Sequence, residues 1–298
     1  MSETFALHKP LKRYNQKKLY GIALFILSGL AFATEDAIIK LIPDDFSLFQ
    51  IIFFANLFSI IPILILIGLR REKIIFFKKN IFIHFLRSLF GLLTVLLFTG
   101  ALRNISLSQT LTLSFSAPFF MIILSVFLLN KKINYYAIVG LFAGFLGVFI
   151  ILFPDFGSFQ LGSIMALLSG LTYASSLLII EHLNVKEDNP SIHLYYIFIS
   201  TCLMSIFIPF FWEPVTTRLL IQLIIIGALY GIGLTLLVSS LRLISVYLIA
   251  PFDYLSLVWM ILFDYLLFNI SLTSHMIVGM LIIVISGIYV SSESTKDI

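Results

Sequence analysis

The chain has 298 residues, of which 60% are hydrophobic and only 11% charged, with a mean hydropathy of +1.09. A soluble domain is about 45–50% apolar and about 25% charged, so most of this chain never meets water and the soluble classes are excluded. The net charge of +4 sits in short basic clusters between apolar runs and implies no nucleic-acid partner, while the single cysteine, Cys202, excludes an internal disulfide framework and a cysteine metal site.

Residues 1–18 carry five Lys/Arg residues and no apolar core, and read as a cytoplasmic tail. The run that follows, Leu19 to Ile42, lacks a small-residue cleavage site and reads as a retained spanning helix rather than a signal peptide. A spanning helix needs about 20 apolar residues. Ten runs meet that need: 19–42, 47–69, 81–102, 107–129, 134–153, 161–182, 192–211, 219–241, 246–268 and 272–290. Their connections are too short for a soluble domain, and residues 291–298 form a second tail. With the N-terminus inside, sixteen of the nineteen Lys/Arg residues fall on the cytoplasmic side. Arg103, Arg218 and Lys40 are the exceptions. This asymmetry predicts both termini inside.

Two stretches repeat. LSGLAFA at Leu27–Ala33 recurs as LSGLTYA at Leu168–Ala174, an offset of 141. Leu102-Arg103-Asn104-Ile105-Ser106 recurs as Leu241-Arg242-Leu243-Ile244-Ser245, an offset of 139 that also pairs Ile138-Val139-Gly140 with Ile277-Val278-Gly279. Three blocks at nearly constant offset predict an all-α integral membrane protein of two five-helix repeats, 19–153 and 161–290. An odd number of helices per repeat inverts the second copy, a recurrent plan of secondary transporters. Duplication without transport, as in some membrane enzymes and channels, is the alternative.

These residues resemble the EamA family of the drug/metabolite transporter superfamily. The likeness rests on ten short-looped helices, the five-plus-five duplication, and Ser116-Ala117-Pro118 through Leu128-Leu129-Asn130 before a Gly-rich helix. The family usually has an acidic residue where Asn130 and Asn269 stand. Within it the chain most resembles S-adenosylmethionine uptake transporters of intracellular bacteria, through Asp36 with Lys40, Phe49…Phe53-Phe54, His84…Arg87 and Ala250-Pro251…Tyr254-Leu255…Leu257-Val258. It departs from that group at Ala55, which stands for an arginine, at Asp253, which replaces another basic residue, and at Ser256, which replaces a glutamate. The resemblance implies a bacterial inner-membrane transporter that moves a small organic metabolite by alternating access, with no cofactor. S-adenosylmethionine uptake or exchange is the first expectation and export of an amino acid, drug or other metabolite the second. The partners expected are that solute and the lipid bilayer, and a homodimer is compatible with such a chain.

Charge at a helix centre costs about 2.5–3.5 kcal/mol on insertion scales, so ionisable residues within spans are candidates for function. In the first span Asp36 and Lys40 are four apart and share a face, and Glu35 points about 100° away, toward an outer vestibule. Lys40 either pairs with Asp36 or snorkels to the interface. In the ninth span Asp253 and Asp264 are almost three turns apart and fall on one face with Leu257 and Met260 between them. Asp264 is also near enough the span end to be hydrated, and Asp253, two residues after Pro251, could instead satisfy freed backbone. Asp36 and Asp253 are the candidates for proton coupling.

Thr110, Thr112, Ser114 and Ser116 lead to Pro118 in the fourth span. Pro118 and Pro251 each remove a donor and predict a helix break, which marks either a binding site or a hydroxyl-satisfied kink. Asn56 and Ser116 are polar candidates for solute contact, and Tyr173, Tyr254 and Trp259 offer flat faces to a cationic or aromatic solute. Arg87 is expected to hold topology, with lipid phosphate binding or an inner gate against Asp253 as alternatives. Gly140, Gly144 and Gly147, with Gly279, Ser286 and Gly287, read as small-residue faces for helix contact. The five histidines lie in the tail, in loops or near span ends, with no metal-binding spacing, and no G-x-x-x-x-G-K-[ST] is present for ATP. An enzyme needs acid, base or nucleophile groups clustered at one depth, and the sequence offers no such cluster.

Overall fold

The computed structural model describes residues 3–43, 46–69, 71, 80–102, 104, 110, 113–130, 134–152, 161–187, 191–268 and 273–294. Among them every regular element is helical. The helices are α1 (Glu3–Ile39), α2 (Leu48–Leu69), α3 (Ile81–Leu102), α4 (Ala117–Leu129), α5 (Tyr135–Leu152), α6 (Leu161–Glu187), α7 (Ser191–Ser205), α8 (Thr217–Leu241), α9 (Val246–Asp253), α10 (Leu255–Phe268) and α11 (Ser274–Ser294). Among the described residues, seven segments are long and apolar enough to cross a membrane: Gln16–Ile39, Leu48–Leu69, Ile81–Ala101, Leu161–Leu183, Ile192–Phe210, Thr217–Leu241 and Val246–Leu267. Ala117–Leu129, Tyr135–Ile150 and Ile277–Val290 are shorter apolar helices. Leu69, Phe127 and Phe210 point outward at 75%, 76% and 79% exposure, which water would not tolerate across a whole surface but lipid does.

Two predicted spans differ in detail. The helix expected over 107–129 is divided: Thr110, Leu113 and Ser114 are helical, a turn follows at Phe115–Ser116, and α4 begins at Ala117. Pro118 stands in the first turn of α4, where a helix has no amide bond to lose, and the helix break expected there falls in the turn just before it. The helix expected over 246–268 is divided at Tyr254 into α9 and α10. Pro251 lies inside α9, and the division falls three residues further on. There the Ser256 hydroxyl donates to the Asp253 carbonyl at 2.6 Å, and the Leu257 amide donates to Tyr254 at 3.1 Å.

The helices close into a ring: α1 packs on α8, α8 on α2, α2 on α7, α7 on α3, α3 on α6, α6 on α4, α4 on α9, and α10 on α1. Outside the ring α5 and α11 pack on each other and on α9. Small residues set these approaches. Within Gly227-Ala228-Leu229-Tyr230-Gly231 of α8, a Cβ on Gly231 would lie 2.6 Å from the Ser59 carbonyl of α2, and one on Gly227 would lie 3.0 Å from the Ala55 carbonyl. A Cβ on Gly147 of α5 would lie 2.7 Å from the Gly279 carbonyl of α11, as its small-residue face predicts. Hydroxyls add fixed points: Ser28 donates to the Gly233 carbonyl at 2.8 Å, and Ser240 to the Gly21 carbonyl at 2.7 Å, tying α1 to α8.

The start of α9 is held by a side chain from α6. Glu181 is buried, and its carboxylate accepts from the Ser245 hydroxyl at 2.7 Å and from the Val246 amide at 2.9 Å. A carboxylate at a helix N-terminus satisfies an orphan amide and complements the helix dipole. Hydrogen bonds to charged groups contribute about 1.5–3 kcal/mol. Glu181→Ala is therefore expected to lower the melting temperature of the detergent-solubilised protein, with Glu181→Gln intermediate. An unchanged melting curve for Glu181→Ala would show that this tie is dispensable.

Candidate solute-binding site

The ring encloses a cavity of about 350 Å³. Small-molecule sites run about 300–1,000 Å³, so one compact metabolite fits. All the ring helices except α4 contribute to its wall, along with the helical Ser114 and the turn residue Phe115 just before α4. Most of the wall is apolar, from residues such as Phe25, Phe32, Ile52, Phe98 and Leu234. A few polar groups converge on it.

Glu35 and Asp36 enter from the last turns of α1, Asn56 from α2, Arg87 from α3, Tyr173 from α6, Asp253 from the end of α9, and Ser256 and Trp259 from α10. Asp253 is held by the Tyr173 hydroxyl, which donates to Oδ1 at 3.3 Å. The Arg87 guanidinium lies over the Tyr196 ring, 3.6 Å from its centroid, and the Tyr196 and Tyr230 hydroxyls are hydrogen-bonded to each other. A seam of hydroxyls runs where α3, α6 and the segment before α4 meet: Thr94 and Thr172 are 2.9 Å apart, and Ser114 and Ser169 are 3.1 Å apart. Three groups in the wall keep buried polar atoms without a partner among the described residues: both amide atoms of Asn56, Nε and Nη1 of Arg87, and Nε1 of Trp259. Native proteins leave few such atoms, and a bound polar solute is one way to satisfy them.

The cavity thus gathers seven of the sequence candidates: Glu35, Asp36, Asn56, Arg87, Tyr173, Asp253 and Trp259. Glu35 shares the chamber with Asp36 instead of facing a separate vestibule. From Phe25 to Ile39, the α1 residues in the wall cover about half the helix circumference, so neighbours about 100° apart both face in. Arg87 is 2% exposed and stacked on Tyr196, so its side chain is enclosed by protein rather than open to lipid phosphate at the surface. Asp253 meets the Tyr173 hydroxyl through its side chain, so that carboxylate does more than satisfy backbone freed by Pro251.

Other candidates stand elsewhere. Tyr254 is fully buried, with its ring 5.6 Å from Phe115 and packed on Gly144, because it occupies the division between α9 and α10 and turns away from the chamber. The Ser116 hydroxyl is buried beside Gly170, outside the wall, with no hydrogen-bond partner among the described residues. Lys40 is exposed just past α1. Pro118 and Pro251 shape the helices without lining the chamber. The side chain of Asp264 lies outside the described residues, as does Thr112. Of the two residues expected on the face of Asp253, Met260 lines the cavity, together with Ser256, while Leu257 is core. His84 and His193, although near span ends, are buried, and His84 stacks on Tyr195 at 4.1 Å.

Tyr196 and Tyr230 were not among the sequence candidates. The Gly227…Gly231 spacing is the signal for Tyr230, because it turns that segment of α8 onto α2. Nothing comparable marks Tyr196, which sits beside Tyr195 in an aromatic-rich chain.

The fold defines a polytopic membrane protein with a chamber of small-molecule size inside its ring of helices. The EamA-like transporter family matches residues 19–153 and 160–292, and the chain belongs to it. The S-adenosylmethionine uptake transporter of Rickettsia bellii (strain RML369-C) is 28% identical over 297 residues, 97% of this chain and 98% of that one. A pseudopaline exporter of Pseudomonas aeruginosa (strain UCBPP-PA14) is 23% identical over 244 residues, 80% of this chain and 84% of its own. One protein crystal structure superposes with a TM-score of 0.73 at 16% identity, covering 92% of this chain and 98% of that one, a likeness of fold alone. The protein is thus a transporter rather than an enzyme, and a multi-pass protein of the bacterial inner membrane.

Proposed function

We propose that this transporter carries S-adenosylmethionine, by uptake or exchange, through alternating access of two inverted repeats, 19–153 and 161–290, with ten spans and both termini in the cytoplasm. The observation that carries the reading is the chamber, where Glu35, Asp36 and Asp253 surround a space bordered by Tyr173 and Trp259. A sulfonium cation suits carboxylates, and aromatic faces suit both the cation and a purine ring. The match to S-adenosylmethionine uptake transporters over almost the whole chain supports the same solute.

The test is uptake of labelled S-adenosylmethionine by purified protein in liposomes. Uptake above protein-free liposomes, reduced by excess unlabelled compound, is the expected result. No movement in either direction, with or without the compound preloaded inside, would remove this solute.

Export of a different metabolite is the second reading. Ala55, Asp253 and Ser256, where the chain departs from the S-adenosylmethionine group, all line the chamber. The likeness to a pseudopaline exporter supports it too. A panel of labelled amino acids and metabolites in inverted vesicles separates the two.

A further inference from the structure

We propose that Arg87 anchors an anionic group of the solute, so that the chamber takes a zwitterion of the α-amino-acid class and discriminates against a purely cationic analogue. This rests on the chamber's being the transport site.

Arg87 is the seventh residue of α3, and at 2% exposure it is enclosed by protein. Its guanidinium is held in place by construction. The Tyr196 ring lies beneath it, and the Tyr196 hydroxyl is tied to that of Tyr230. Gly91, one turn along α3, makes room for the stack, since a Cβ there would lie 2.8 Å from the Tyr196 ring and 3.1 Å from Arg87 Nη1. A side chain used only to mark topology needs no such seat.

The seat leaves donors unused. Nε and Nη1 are buried without a hydrogen-bond partner among the described residues. Arginine stays protonated in proteins, so it cannot escape this cost by losing its charge. A buried cation whose donors go unused is strongly unfavourable, and what Nε and Nη1 lack is an anionic acceptor within hydrogen-bond reach. The planar guanidinium matches a carboxylate best. The rest of the wall states the other half of the requirement: Glu35, Asp36 and Asp253 outnumber the one guanidinium, so the complementary solute carries one anionic group and an excess of cationic charge. An α-amino acid with a second positive centre meets this description. The same molecule without its carboxylate leaves Arg87 unpaired and repels it.

The experiment uses the purified full chain in detergent and measures affinity by thermal shift with two compound pairs. One pair is S-adenosylmethionine and decarboxylated S-adenosylmethionine, and the other is arginine and its decarboxylated form, agmatine. The carboxylate-bearing member of at least one pair is expected to bind about tenfold tighter or more. Arg87→Gln is expected to erase that preference by weakening only the carboxylate-bearing member, while Arg87→Lys keeps part of it. The wild-type comparison stands even where a variant fails to fold. Preference within the arginine pair alone removes S-adenosylmethionine as the solute and leaves the anchor in place. If neither carboxylate-bearing compound binds more tightly than its decarboxylated partner, the proposal is overturned. That would hold even where Arg87→Gln slows transport, which would then mark a gate.

Discussion

The Asp253→Asn protein is expected to fold like its parent and to carry its solute about ten- to a hundredfold more slowly, since a charge-assisted contact contributes about 1.5–3 kcal/mol and each 1.4 kcal/mol is tenfold. The side chain closes α9, accepts from Tyr173 at 3.3 Å, and looks into the chamber. Asparagine keeps an oxygen for Tyr173 and so retains the local geometry. What it removes is the negative charge offered to a cationic solute. The measurement is initial uptake into liposomes at equal protein content, with the melting temperature of each preparation as the control for folding. Parental uptake by Asp253→Asn would show that this carboxylate does not meet the solute. Tyr173→Phe keeps the charge and loses only its hydrogen bond, so its effect is expected to be smaller.

A pair of glycines should separate the two sequence repeats. Gly29 and Gly170 occupy the same place in LSGLAFA and LSGLTYA. Around Gly29 a Cβ would meet nothing within 4 Å. At Gly170 it would lie 2.7 Å from the Ser116 hydroxyl, 2.9 Å from the Ser114 carbonyl and 3.1 Å from the Ala117 amide. Those atoms belong to the turn that starts α4 and cannot move without displacing it. Gly29→Ala is expected to melt at or above the parental temperature, because alanine favours a helix over glycine by about 1 kcal/mol. Gly170→Val is expected to lose about 1–3 kcal/mol or more through overpacking, and to lose transport with it. Gel filtration and thermal melting in detergent read both. Equal behaviour of Gly29→Val and Gly170→Val would contradict the different packing of the two copies.

Much of the site's membership was legible because an ionisable or amide group inside an apolar run stands out whatever surrounds it. Asp36, Asn56 and Asp253 are of this kind, and all three line the chamber. Orientation was harder to read. Tyr254 looked as good a candidate as Tyr173, but the chain divides at Tyr254 and sends its ring into the core against Phe115. Glu35 looked misdirected beside Asp36, yet α1 presents about half its circumference to the chamber. Arg87 looked like one more basic residue near a span end, yet inside the fold it stacks on Tyr196, more than a hundred positions away.

Placement in the bilayer depends on composition, which each stretch of about 20 residues carries by itself. The sequence alone therefore determined that this is a helical membrane protein, and its motifs led to the family. Which face of each helix meets the solute is a rotation, and in lipid that rotation is set by packing and by hydrogen bonds between helices. Ser28 to Gly233, Ser240 to Gly21 and Glu181 to Val246 are contacts between distant parts of the chain. They have no signature in any local window, so the tertiary structure alone decided that Glu35 and Arg87 face the chamber and that Tyr254 does not.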